Sequence, residues 1–342
     1  MRTEGKASGT IRRLTPQEVC ERYPSSITSS VAVTGFTREF NSTPYVELGK
    51  GGTGYVLLSQ LPTGQKCAMK FIPVSSGDYD AIISDVNDEL AIAASLRRQA
   101  GSESLLASPT DAFLVVGTGY IILPMPYFAG DTLHEAVRDL SCPMRRASLM
   151  AAYKRLCEEW EELSSKVGVL HGDWSPYNII VGPDKMRIVD LGAACRITNT
   201  KTLLEFDVKN RHTSFHPILH GDCANRMAEP DDVVHFLEKA DLWAFGVVFL
   251  VVFGTPDTRT YTRSFHKQVR QSITLPVRDR TKRFTVILLQ LADTIRTDPN
   301  FGDGDIEWLL STLARAMQTR EVHPRDTIDG SSVAPTKRPR LE

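Results

Sequence analysis

The stretch HGDWSPYNII, residues 171–180, sets an aspartate and an asparagine five positions apart on a tight, proline-containing loop that runs into an apolar segment. On such a loop Asp173 can accept a proton from an attacking hydroxyl, and Asn178 can offer its amide oxygen to a metal ion. Twelve residues further on, RIVDLG closes an apolar run with Asp190, and Gly192 follows. A carboxylate at the end of a buried strand suits a hard magnesium ion whose remaining ligands are phosphate and water. Two turn-capping aspartates and a turn asparagine would explain each residue separately but not their order.

Chemistry of that kind also needs groups that hold phosphates, and the first half of the chain offers them. GKGGTG, residues 49–54, fits G-x-G-x-x-G between two strand-like runs. Gly49, Gly51 and Gly54 there would let backbone N–H groups approach a phosphate; a plain hairpin turn is the alternative. Lys70 closes the run CAMK. A lysine at a strand end can simply reach solvent. Held as a point charge against phosphates, it needs a carboxylate partner. Glu89 sits nineteen residues later on a helical segment, near its apolar stripe, where a solvated surface acid is the alternative.

The elements that must position these groups follow from the hydrophobic pattern. Residues 1 to about 40 are rich in Ser, Thr and basic residues, with one helix-start signal, Thr15-Pro16-Gln17-Glu18, and are expected to carry at most a short docked helix. From Tyr45 to Ile72, short apolar runs alternate with glycine-rich turns and predict strand, turn, strand, turn, strand. Asp80 to Arg98 has helical spacing, with Ile82, Ile83, Val86, Leu90, Ala93 and Leu96 on one face. Two strand-like runs follow, AFLVVG and GYIILPMPYF, and then the chain becomes mainly helical. Leu149, Tyr153, Leu156, Trp160 and Leu163 mark an amphipathic helix leading into HGD, and further helices are expected near 238–253, 283–296 and 305–319.

Composition narrows the classes of partner. Among 342 residues, 40 basic and 41 acidic side chains give a net charge of -1, so no global field favours nucleic acid or an anionic membrane, and direct binding to either is not expected. The most apolar stretch, Trp243 to Gly254, is too short to span a bilayer and reads as a buried helix. Six cysteines without C-x-x-C pairs suggest neither a disulfide framework nor a zinc site, and imply a reducing intracellular compartment. The N-terminus lacks the apolar core of a secretory signal. The tail PTKRPRLE, residues 335–342, has the look of a short nuclear-import signal read by an import receptor, a solvated basic end being the alternative.

Taken in order, the Gly-rich loop, strand lysine, helix glutamate, H-x-D-x-x-x-x-N and D-x-G stand at the spacing of the protein kinase signature set, with AMK for A-I-K and DLG for D-F-G. The sequence resembles the protein kinase family from about Tyr45 to Arg325. The resemblance implies an α+β, bilobal fold with a small β-rich lobe at 45–127 and a larger helical lobe at 128–326. An extension at 1–44 and a basic tail at 327–342 flank them. It also implies phosphoryl transfer from ATP with Mg2+ to an unidentified protein substrate. Gly49, Gly51 and Gly54 would cover the phosphates, and Lys70, held by Glu89, would bind them. Asp173 would orient and deprotonate the acceptor, and Asn178 and Asp190 would hold magnesium. Val56, Ala68, Met125 and Phe128 would surround the adenine, with Asp131 near the ribose. Asp241, in ADLWAFGVV, would brace the catalytic loop, and Arg325 would pair with Glu229 at the end of the activation segment.

The departures are equally specific. Gly172 replaces the arginine of H-R-D, which suggests independence from activation-segment phosphorylation. Ser175 stands where serine/threonine kinases place a lysine on the transferred phosphate. Thr213 and Ser214 are candidate modification sites or plain loop residues. H-G-D followed by Pro and Asn is also similar to the aminoglycoside and choline kinase type of small-molecule phosphotransferase, which lacks the D-L-W-A-F-G helix and closing H-P-R segment in this form. A pseudokinase scaffold is a further alternative, although it would not need all five site residues. The compact layout also resembles kinases encoded by large DNA viruses, on no motif unique to them.

Overall fold

The computed structural model describes residues 11–22, 46–197 and 236–318, with short breaks at 52–53, 61–62, 76, 101–104, 118, 139, 141 and 237. Its elements run β1 (Arg12–Leu14), α1 (Pro16–Arg22), β2 (Glu47–Gly51), β3 (Gly54–Gln60), β4 (Lys66–Pro73), α2 (Tyr79–Ala100), β5 (Leu106–Ala107), β6 (Phe113–Val115) and β7 (Tyr120–Pro126). Beyond a short connector come β8 (Asp131–Thr132), α3 (Leu133–Ala136), α4 (Pro143–Val167), β9 (Val169–Leu170), β10 (Ile179–Val181), β11 (Met186–Val189) and β12 (Cys195–Arg196). Four helices complete the described chain: α5 (Ala240–Phe253), α6 (Pro256–Ile273), α7 (Val277–Arg296) and α8 (Asp303–Ala316). Together they form the bilobal α+β arrangement that the resemblance implies. Glu229, Arg325, Thr213, Ser214 and the basic tail lie outside the described residues.

The small lobe is a six-stranded sheet in the order β1-β6-β7-β4-β3-β2. Every neighbouring pair is antiparallel except β1–β6, which is parallel. Strand β4 is buried from Cys67 to Ile72 because it has partners on both edges and side chains packed on both faces. Helix α2 crosses below the sheet and serves two cores. Val86 and Leu90 join Ile72, Ile121 and Leu123 under the sheet, while Ile92, Ala93 and Leu96 join the core of the large lobe. The single apolar face read from the sequence is therefore divided between two lobes, and Glu89 sits at the division.

In the large lobe α5 is buried on nearly all sides, since every residue but Leu242 and Val251 is withdrawn from solvent. Each large apolar side chain buried there contributes about 1.5–3 kcal/mol. Gly246 allows the closest approach: a Cβ there would stand 2.6 Å from Leu313 Cδ2 of α8. Helix α4 ends at Gly168, whose φ of +70° reverses the chain into β9 and the HGD loop.

Helix α6 and strand β1 are among the elements the sequence pattern did not announce. Helix α6 buries Thr258, Thr262, Phe265, Val269, Ser272 and Ile273. Its stripe is half hydroxylated, so the apolar periodicity is diluted. The extension holds a strand, β1, as well as the helix α1; three residues of strand carry too little pattern to be read locally. Among the described residues no helix is long and apolar enough to cross a membrane.

Candidate active site

The HGD loop is held from below by α5. Asp241 in its first turn is buried and accepts hydrogen bonds from the backbone N–H groups of His171 (2.7 Å) and Gly172 (3.1 Å) and from Trp160 Nε1–H (2.9 Å). Three donors on one carboxylate at a helix N-terminus make a rigid footing. Gly172 adopts a φ of +77°, a region that costs L-residues energy, so the H-G-D glycine meets a backbone requirement as well as marking a departure from H-R-D.

Above that footing, Asn178 Nδ2–H donates to the Asp173 side-chain Oδ2 and to the Asp173 carbonyl oxygen, both at 2.9 Å. The five-residue spacing thus closes the loop into a ring that fixes the carboxylate. The Asn178 carbonyl accepts from Val189 N–H at 2.9 Å, which ties the loop to the strand ending at Asp190. Asp190 takes a φ of +62°, the only positive value for a non-glycine among the described residues. Its Oδ1 accepts from Gly192 N–H at 3.0 Å and from Lys70 Nζ at 2.7 Å.

Lys70 and Glu89 are both buried, with Nζ 3.8 Å from Glu89 Oε2. The electrostatics of the three groups follow. Burial opposes charge on Lys70, but Asp190 and Glu89 outweigh it and raise its pKa above the ordinary lysine value. Burial pushes the Glu89 carboxyl up, with Lys70 acting against the rise. For Asp190 burial works against ionisation too, yet the Lys70 ammonium and the Gly192 N–H hold its carboxyl below the usual range. Asp173 is near enough for its charge to act on Lys70, so the two halves of the site face one cleft.

The remaining expected residues fall in β3, β4, β7, the glycine loop, the connector and β8. Val56 pairs with Lys70 across β3–β4, and Ala68 with Met125 across β4–β7, so these three share the sheet region beside the lysine. The side chains of the three loop glycines would meet different surroundings. Gly49 and Gly51 have open space where a Cβ would point, whereas at Gly54 a Cβ would fall 1.9 Å from the Phe71 carbonyl oxygen. Gly54 is therefore required by strand packing, whereas a Cβ at Gly49 or Gly51 would meet nothing within 4 Å. Phe128 lies in the connector with the Arg187 guanidinium 4.4 Å from its ring centre, and Asp131 is exposed in β8. Ser175 is buried and brings no charge to the site.

Sequence reasoning missed the aromatic support. Trp174 Nε1–H donates to the Tyr153 hydroxyl at 2.9 Å, and that hydroxyl donates to the Phe245 carbonyl at 3.0 Å. Trp160 and Trp174 flank the fully buried His171 ring. Tyr153 and Trp160 stood in an apolar stripe and read as ordinary core; the signal was that both carry a polar atom that must find a partner when buried.

A β-rich lobe over a helical lobe, with a buried lysine between two carboxylates and a clamped Asp–Asn loop below, is the arrangement of the protein kinase fold. The comparisons agree: the family model for the protein kinase domain matches residues 43–294, and the chain belongs to the protein kinase family. It is 30% identical over 138 residues to the serine/threonine-protein kinase KSP1 of Saccharomyces cerevisiae, covering 39% of this chain and 12% of that one. It is 24% identical over 154 residues to the serine/threonine-protein kinase AfsK of Streptomyces coelicolor, covering 45% of this chain and 18% of that one. The chain thus aligns with less than a fifth of either relative's length.

Proposed function

We propose that the chain is a Mg-ATP-dependent protein kinase that transfers the γ-phosphoryl group of ATP to serine or threonine hydroxyls of a protein substrate. The observation that carries this reading is the buried Lys70, 2.7 Å from Asp190 and 3.8 Å from Glu89, facing the Asp173–Asn178 ring. A scaffold has no use for a desolvated cation poised between two acids. The names of KSP1 and AfsK support the serine/threonine assignment.

In this mechanism Lys70 neutralises the α and β phosphates and Glu89 keeps the ammonium in place. Asp173, its carboxylate fixed by Asn178, orients the acceptor hydroxyl and takes its proton as the new O–P bond forms and ADP leaves. Asn178 and Asp190 present hard oxygen ligands of the kind magnesium prefers, and Gly49 and Gly51 keep side chains off the loop that would cover the phosphates. Magnesium, when bound, neutralises charge that develops on the transferring phosphates. Val56, Ala68 and Met125 offer an apolar bed for the base, with the backbone at Phe128 and the Asp131 side chain at its edge.

The test incubates the protein and an Asp190→Ala variant with labelled ATP, magnesium and a mixed protein extract. The variant is expected to lose about 10²–10³-fold in rate, the usual cost of one transition-state electrostatic partner. Label confined to small molecules would replace the protein substrate with a small one, in keeping with the uncharged Ser175. No label above the variant's level, with nucleotide still bound, would make the protein a scaffold. We further propose that residues 335–342 direct nuclear import; a reporter carrying this tail that stays in the cytoplasm would overturn that assignment.

A further inference from the structure

The segment from Ile11 to Arg22 precedes the stretch matched by the kinase family, yet it is built into the small lobe. Strand β1 adds to the outer edge of the sheet in parallel register, Arg12 opposite Phe113 and Leu14 opposite Val115. Arg12 N–H donates to the Ala112 carbonyl at 3.1 Å, and Val116 N–H to the Leu14 carbonyl at 2.9 Å. A reciprocal cap stops the strand and starts α1: Thr15 N–H donates to Glu18 Oε2 at 2.7 Å, and Glu18 N–H to Thr15 Oγ1 at 3.3 Å. The Arg12 and Arg22 guanidinium groups lie 4.9 and 5.1 Å from the centre of the Phe113 ring, and Arg12 also pairs with Asp111.

The apolar residues of the segment reach both faces of the sheet. Leu14 and Val19 are buried with Leu57, Met69, Phe71 and Phe113 on one face. Ile11 packs on the other, against the cluster of Ile72, Val86, Leu90, Ala112, Ile121 and Leu123. Val86 and Leu90 belong to α2, and between them stands Glu89. Ile11 is thus packed, with Val74, Ile82, Ile83 and Leu114, around the cluster that seats this part of α2, and its position is fixed by β1 and by the Leu14 and Val19 anchors. Glu89 stands in this part of α2 with its carboxylate buried and 3.8 Å from Lys70 Nζ.

We propose that residues 11–22 are an intramolecular brace for α2, in which Ile11, Leu14 and Val19 are positioning residues that hold Glu89 against Lys70 and so set nucleotide affinity. The affinity and activity consequences rest on the phosphotransferase reading above; the effect on α2 itself does not.

The test uses full-length protein with Val19→Asp, which places a charge in the anchor, and Ile11→Asp, a milder change at a half-buried position that keeps the question open to decision should the first variant fold poorly. Amide hydrogen exchange in residues 79–100 is expected to quicken about tenfold while residues 240–253 keep their protection. ATP affinity, measured by calorimetry, is expected to fall about tenfold, and in a Glu89→Gln background the same substitutions are expected to add nothing. A peptide of residues 8–24 added to the Val19→Asp protein is expected to restore affinity. Unchanged exchange in α2, or losses that add in full to that of Glu89→Gln, would overturn the brace. A wild-type protein that binds no ATP would overturn the phosphotransferase reading and leave the brace to be decided by exchange.

Discussion

At the scale of single residues, the three charges of the cleft are set apart by environment. The Glu89 carboxyl is pushed above its ordinary 4.5, and that of Asp190 is held below its ordinary 3.8. On acidification the Lys70–Glu89 pair is therefore lost first, as pH falls through a value above 4.5, while the Lys70–Asp190 pair persists to below 3.8. In linkage terms the contribution of Asp190 to stability is present at neutral pH and lost as pH falls through its folded pKa; that of Glu89 has the opposite sign and declines as pH rises through its own. ATP affinity measured against pH should then show an acid limb beginning above 4.5 that is missing in Glu89→Gln, a variant binding ATP about tenfold more weakly at neutral pH. Protonation of ATP itself is common to both proteins and cancels. Gly172 is a second case. Because its φ is +77°, Gly172→Ala should cost about 1–2 kcal/mol, read as a lower melting temperature. The candidate residues themselves could be named from the sequence because the protein kinase signature sets particular side chains in a particular order. The reason for the glycine was not, since a backbone angle is imposed by the Asp241 clamp from another element.

At the scale of elements, the site depends on contacts between helices remote from it. Helix α5 carries Asp241 at one end and lies against α8 at Gly246. Gly246→Ala would drive a Cβ to 2.6 Å from Leu313, a side chain buried on all sides, and should cost about 1–3 kcal/mol in denaturant unfolding. A variant as stable as wild type would show that the two helices can separate. Strong periodicity made α2, α4, α5 and α8 readable, since each presents a continuous apolar stripe or an apolar run. Helix α6 escaped because Thr258, Thr262 and Ser272 occupy buried positions, where the Thr258 hydroxyl finds the distant Asp298 carboxylate and those of Thr262 and Ser272 the carbonyls one turn back. Strand β1 escaped because its meaning lies in its partner β6, which is about a hundred residues distant in the chain.

At the scale of the whole molecule, the cleft is shared: Lys70 and Glu89 come from the small lobe, Asp173, Asn178 and Asp190 from the large one. A nucleotide that touches both should stabilise them together. ATP with magnesium at about a hundred times its Kd is expected to add about 2.7 kcal/mol to unfolding stability, and Asp190→Ala should remove the part of that gain that depends on magnesium. Equal stabilisation with and without the metal would separate Asp190 from metal binding. The order and spacing of the signature residues, the alternation of short strands and then long helices, and the near-neutral charge were determined by sequence alone, because they are local or compositional properties of the chain. Only the tertiary structure decided that Gly54 answers to the Phe71 carbonyl while Gly49 and Gly51 leave open space. It alone divided the face of α2 between two cores, hung the HGD loop from Asp241 and joined Ile11 to the cluster beneath Glu89. Each of these is a contact between segments far apart in sequence, and such contacts carry no local pattern from which they could be read.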